Sequence, residues 1–140
     1  MSEKFFADTN VAVYALDVDE HKRRQALAVM RRHPVISTQV VNEFINVLLG
    51  KRKLERAKTF RLARVLMRHC DVLSVTPEIT EQAMTLGERY QIGHWDAVIL
   101  AAALCAGCNT LYSEDMQDGQ VFDGRLTARN PFPQEPIKLI

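Results

Sequence analysis

Short apolar runs alternate with longer helix-length patterns along the whole chain, and this alternation restricts the fold more than any other feature. Such an order predicts an α/β domain built on a mainly parallel sheet. Lys4 to Ala7 reads as the first strand, followed by a short helix over Asn10 to Leu16 and a second over Glu20 to Arg32. Ala26, Leu27, Val29 and Met30 give that second helix its apolar side. Pro34-Val35-Ile36 is the next strand, and Ser37 or Thr38 caps a helix reaching about Leu49. There Val40, Val41, Phe44, Val47 and Leu48 repeat at a helical period, with Glu43 beside the stripe, where it can face the rim of a pocket rather than open water.

Glu55 to Arg68 reads as a basic helix with Phe60, Ala63, Leu66 and Met67 inward. Val72 to Val75 is a third strand. Thr76-Pro77 then supplies a cap and a proline at the first helical position, for a helix ending near Tyr90. Gly93 interrupts the chain, and a helix from Trp95 or Asp96 runs to Ala106, stopped by Gly107. Thr110 to Ser113 is a fourth strand and Leu126 to Asn130 a fifth, with Gly119 and Gly124 marking the loop between them. With 140 residues and neither repeats nor linkers, the expectation is one domain over residues 1–140.

Four separated acids stand out: Asp8, Glu43, Asp96 and Asp115. Most fall at a strand end or a helix start, and ligands of open α/β sheets bind at the carboxyl ends of strands. Taken singly, each has an ordinary structural explanation. Asp8 fits a helix cap, Glu43 a partly exposed helix acid, Asp96 a partner of the helix dipole, and Asp115 a turn with Asp118 and Gly119. Gathered together they repel one another, and a divalent cation with oxygen ligands is the usual compensation. Magnesium keeps several waters and takes one or two direct carboxylates, so four acids can divide the work of ligation and base catalysis. That combination points to metal-assisted chemistry on phosphate.

The formal net charge of +1 hides an asymmetry. From Lys22 to Arg68 there are thirteen bases and only the acids Glu43 and Glu55, while the remainder holds five bases and fifteen acids. Lys51 to Arg68 alone sets eight bases against one acid. Many are solvated helix faces, but the density suits a polyanion, whose phosphates release counterions on binding. Lys51, Arg52, Lys53 and Arg56 are the candidate nucleic-acid contacts.

Three cysteines argue against a disulfide framework, and Cys105 and Cys108 read as small buried residues rather than a metal or redox pair. No apolar stretch reaches membrane-spanning length and no secretory signal is visible, so a cytoplasmic location is expected. His94 reads as a packing or capping residue before Asp96, Trp95 as a core residue, and Asp118 as a loop residue, although His94 could touch a phosphate and Trp95 could stack on a base.

The motifs Phe6-Ala7-Asp8-Thr9-Asn10, Asn42-Glu43-Phe44, His94-Trp95-Asp96-Ala97 and Leu111-Tyr112-Ser113-Glu114-Asp115, with the late Asn130-Pro131-Phe132, resemble those of PIN-domain proteins, in particular the VapC-type toxin ribonucleases. The resemblance spans nearly the whole chain. It implies a three-layer α/β/α domain and a magnesium- or manganese-dependent endoribonuclease leaving a 5′-phosphate and a 3′-hydroxyl. Asp8, Glu43, Asp96 and Asp115 match its acidic quartet. Asp8, Asp96 and Asp115 would hold metal, and Glu43 would position water or assist as base. Asn10 would orient Asp8, and Ser113 stands where many relatives have threonine. An antitoxin partner, covering the acids with an inserted arginine, and a homodimer are implied as well.

Two other functions compete. A catalytically silent RNA- or protein-binding module would use the same basic helices but leave the acids without a purpose. An aspartyl-phosphate phosphatase needs Asp-x-Asp after the first strand, where this chain has Asn10 in the second position. No sequence feature reads a ribose 2′-hydroxyl, so RNA and DNA are not distinguished by the residues themselves.

Overall fold

The computed structural model describes residues 3–133. The chain alternates as expected: β1 (Phe5–Ala7), α1 (Thr9–Tyr14), α2 (Glu20–Met30), β2 (Val35–Ser37), α3 (Thr38–Gly50), α4 (Arg56–His69), β3 (Asp71–Leu73), α5 (Pro77–Tyr90), α6 (His94–Cys105), β4 (Thr110–Tyr112), β5 (Val121–Phe122) and β6 (Leu126–Arg129). The six strands form one sheet in the order β3-β2-β1-β4-β6-β5. Every pairing is parallel except β5 with β6. Helices flank this mainly parallel sheet.

β1 and β4 are central neighbours, in register at Phe5 with Thr110, Phe6 with Leu111 and Ala7 with Tyr112. All of β1 is buried, as a strand covered on both faces should be. The register carries the segments that follow, Asp8 and Ser113 to Asp115, to the same sheet edge, and Asp8 N–H donates to Tyr112 O at 2.9 Å.

Helix ends follow local chemistry. Asp8 caps α1, and Asp19 caps α2 by accepting from the amides of His21 and Lys22 at 2.9 and 3.2 Å. Ser37, rather than Thr38, caps α3; Thr38 Oγ1 instead accepts from Val75 N–H at 3.1 Å. Thr76 caps α5, with Pro77 at its first turn. α6 begins at His94, one residue before the earlier of the two starts read from sequence, and carries no side-chain cap. Its residues Ala97 to Leu104 are all buried. Small side chains let this helix pack closely on its neighbours, α5 among them.

The main core runs over the sheet through Phe6, Ile36, Leu111, Phe122 and Leu126, joined by Ile79 and Leu86 of α5 and the buried length of α6. A smaller cluster of Ala12, Val13, Phe44, Leu48 and Ala63 joins α1, α3 and α4.

Four expectations need correction. β5 lies in the span read as loop. Asp123-Gly124, with φ of 51° and 66°, makes the tight turn of a hairpin, and Arg125 N–H donates to Phe122 O at 3.0 Å. Met67 does not face inward on α4 but is exposed, while Thr59 is fully buried. Cys105 ends α6 exposed, whereas Cys108 is buried as expected. Trp95 is 66% exposed rather than packed in the core, because the buried face of α6 starts only at Ala97.

Candidate active site

Asp8 follows β1 directly, and its side chain is buried with both oxygens engaged. Thr9 N–H donates to Oδ1 at 2.7 Å and Ser113 Oγ donates to Oδ2 at 2.7 Å. Ser113 is fully buried and also accepts from Asp115 N–H at 3.1 Å, so one hydroxyl ties two of the acids together. Asn10, one residue into α1, links the same segment from the other side. Its Nδ2 donates to Asp115 Oδ2 at 3.3 Å and its Oδ1 accepts from Glu114 N–H at 3.2 Å. Asn10 therefore orients Asp115 rather than Asp8, a correction to the sequence expectation.

Glu43 reaches the group from α3. Thr9 Oγ1 donates to its Oε2 at 2.7 Å and Gln39 Nε2 to its Oε1 at 2.9 Å. Each carboxylate oxygen thus has one fixed donor and keeps lone-pair capacity for another. Asp96 projects from the first turn of α6, half-buried. Asp115 is exposed at the rim.

Asp8 and Asp96 both feel the charges of Asp115 and Glu43. Burial pushes Asp8 up to about 6, with Ser113 and Thr9 opposing that rise and the charges of Asp115 and Glu43 adding to it. Burial also raises Asp96, again with contributions from Asp115 and Glu43. Among the described residues no ion pair neutralises any of the four. No three His, Cys, Asp or Glu side chains among the described residues stand close enough to enclose a metal ion. The cluster is open. It fits a hard cation that keeps most of its waters and takes one or two direct carboxylates, and does not fit a closed structural site.

Two cavities flank the acids. One, of about 410 Å³, is lined by Thr9, Asn10, Glu43, Asn46, Lys51 and Arg52 together with Asp115. The other, of about 580 Å³, lies between α3 and α6 and includes Gln39, Asn42, Glu43, Asn46, His94 and Trp95. Lys51 and Arg52 therefore stand beside the acids, and Arg52 is held by Asp17 at 3.3 Å. Lys53 and Arg56 line neither cavity.

Thr9 and Gln39 are the site residues that sequence reading passed over. Gln39 lies four residues before Glu43 on one helix, a spacing that places their side chains together. Thr9 sits inside the Asp8-Thr9-Asn10 motif, but its bond to Glu43 crosses 34 residues and has no local signature. Asp118 has the loop role expected of it, accepting from Asn130 N–H at 2.9 Å. His94 is exposed at the first position of α6 behind the capping Gly93, so it does not cap the helix, and its ring lies 5.5 Å from that of Trp95.

A mainly parallel sheet with unneutralised acids gathered at the carboxyl ends of its central strands defines a class of acidic-centred α/β domain. A PIN-domain profile matches residues 5–117, and the chain belongs to the PIN-domain family. Its fold is similar to that of VapC20 of Mycobacterium tuberculosis, described as a sarcin–ricin loop cleaving toxin, at 20% identity and a TM-score of 0.66 over 80% of this chain and 90% of that one. It is also similar to a chain of a toxin–antitoxin complex from Klebsiella pneumoniae, at 22% identity and a TM-score of 0.68 over 94% and 98%. FitAcB from Neisseria gonorrhoeae matches at 21% identity and a TM-score of 0.65 over 91% and 97%. No curated protein matches the chain.

Proposed function

We propose that this chain is a divalent-metal-dependent endoribonuclease that hydrolyses RNA phosphodiester bonds, and that it is the toxin of a toxin–antitoxin pair. The observation that carries this is the convergence of Asp8, Glu43, Asp96 and Asp115 with no neutralising side chain among the described residues. A silent binding module would leave that repulsion without a purpose, since bare acids repel RNA.

Asp8, Asp96 and Asp115 would share magnesium or manganese, one or two of them as direct ligands and the rest through the ion's waters. When bound, the cation would supply charge stabilisation at the phosphoryl oxygens and lower the pKa of water. The protein's own residues do the rest. Ser113 and Thr9 fix Asp8, Asn10 fixes Asp115, and Thr9 with Gln39 fixes Glu43. Glu43, with one lone-pair direction free on each oxygen, orients a water and takes its proton. Attack at phosphorus forms the new P–O bond, the bond to the ribose 3′-oxygen breaks, and that oxygen takes a proton from solvent while Glu43 returns its own to solvent. Lys51 and Arg52 receive neighbouring phosphates at the other wall of the cavity.

The toxin assignment draws on the similar structures, a sarcin–ricin loop cleaving toxin and a toxin–antitoxin complex among them. An antitoxin would cover the acids with a guanidinium, which pairs with carboxylates bidentately. A homodimer is also proposed. Among the described residues no helix is long and apolar enough to cross a membrane, and we place the protein in the cytoplasm.

The test is cleavage of mixed single-stranded RNA by the purified chain with manganese or magnesium, with EDTA, and with Asp8→Asn. Cutting that needs the metal and Asp8 supports the function. Folded, antitoxin-free protein that cuts nothing supports the silent module instead.

A further inference from the structure

Trp95 is the one tryptophan of the chain. It lies immediately before Asp96 at the start of α6, is 66% exposed, and walls the cavity between α3 and α6. A large aromatic surface left in water beside a reaction centre calls for an occupant. Val75 and Val98 give the cavity an apolar wall, and polar side chains stand beside it. Asn42 and Asn46 stand one turn apart on α3, both exposed, and they share the cavity with Glu43 and His94.

We propose that this cavity is a subsite for one unpaired nucleobase of the RNA substrate, with the Trp95 indole as its stacking surface and the carboxamides of Asn42 and Asn46 as partners for its edge. The assignment rests on the nuclease function proposed above. A base offers a flat π-face and an edge mixing donors and acceptors. An indole matches the face, and a carboxamide, carrying both a donor and an acceptor, matches the edge.

The position of the cavity supports that occupant. Glu43 and Asn46 line both cavities, so the two adjoin across the catalytic acids. Lys51 and Arg52 line the first cavity together with Tyr14, whereas the second, walled by Trp95, has no lysine or arginine among the described residues. Glu43 thus stands between the cationic wall and the indole. Gln39 couples the two parts: its Nε2 donates to Glu43 Oε1 at 2.9 Å and to Trp95 O at 3.2 Å. A base paired and stacked in a duplex cannot lie on this indole, so the subsite selects single-stranded or splayed-out nucleotides.

Because Trp95 is the one tryptophan, its fluorescence reports this cavity directly. The Asp8→Asn chain is titrated in magnesium with a single-stranded RNA tetranucleotide, and separately with an abasic ribose–phosphate oligomer of equal length. Saturable quenching by the tetranucleotide, with the abasic oligomer binding about 10-fold more weakly, is expected for one base–aromatic stack. Equal quenching by both, or quenching by neither, overturns the subsite. A fluorescence change on dilution without RNA assigns the indole to a second copy of the chain and also overturns it.

Cleavage separates this proposal from the one beneath it. Trp95→Ala in the otherwise native chain is expected to raise KM about 10-fold with kcat changed by less than about twofold, and Trp95→Phe to recover most of the loss. Metal-dependent cutting with KM unchanged in Trp95→Ala rejects the subsite and leaves the nuclease intact. Base-selective quenching in a chain whose native form cuts nothing retains the subsite and rejects the nuclease.

Discussion

Asp8 carries a proton more tightly in the folded, metal-free protein than in the unfolded chain, because its carboxyl is raised from 3.8 to about 6 chiefly by burial. Between those values the folded state binds more protons than the unfolded state, so stability falls as pH rises through roughly 4 to 6. The lost stability at pH 7 is on the order of 2–3 kcal/mol, at about 1.4 kcal/mol per unit. Asp8→Asn removes this titration. In EDTA at pH 7 the variant should melt at a higher temperature than the native chain, and the gap should close as pH is lowered to 4. A variant that melts lower at pH 7 would contradict the burial of an ionised carboxylate. Ser113→Ala acts in the opposite sense. It removes a buried donor at 2.7 Å from Asp8 Oδ2, and should cost about 1–3 kcal/mol in denaturant unfolding while pushing Asp8 further up.

Individual elements were legible in proportion to their local chemistry. The Thr76-Pro77 start, the stripe of α3 and the glycine stop after α6 each depend on neighbours in sequence, and each appears in the structure. β5 is only two residues long and antiparallel, too short for any periodicity, although its Asp123-Gly124 turn was a readable hairpin signal. Trp95 shows a different limit. Composition places tryptophan inside, but a residue in the first turn of a helix can precede the point where that helix meets the core. The acids were legible because they fall at strand and helix ends. Their cross-links were not, since Gln39 to Trp95 spans 56 residues and Asn10 to Asp115 spans 105. α5 offers a test of helix energetics. A Cβ at Gly87 would meet Ile92 O at 3.8 Å and Ala97 Cβ at 3.9 Å, ordinary contacts. Gly87→Ala should therefore stabilise the protein by about 0.5–1 kcal/mol, read as a raised denaturation midpoint at unchanged slope.

Over the whole molecule, charge is divided between a basic segment and an acidic centre. RNA binding should weaken steeply with salt, because each neutralised phosphate of a single strand contributes about 0.7 to the slope of log K against log salt. Lys51→Ala should reduce that slope by roughly one contact and weaken binding about equally across RNA sequences. Trp95→Ala, which removes stacking rather than charge, should leave the slope unchanged. Equal slopes for the native chain and Lys51→Ala would remove Lys51 from the phosphate path.

The acidic centre itself is tested most directly by calorimetric titration of the metal-free chain with manganese. The account predicts saturable binding at pH 7. Affinity should fall as pH is lowered through the Asp8 value of about 6, because the carboxyl must lose its proton to act as a ligand. Asp96→Asn should weaken binding at least about 10-fold, the loss of one carboxylate from an open site. No saturable heat from the folded chain, or equal affinity in Asp96→Asn, would contradict a cation held among these acids.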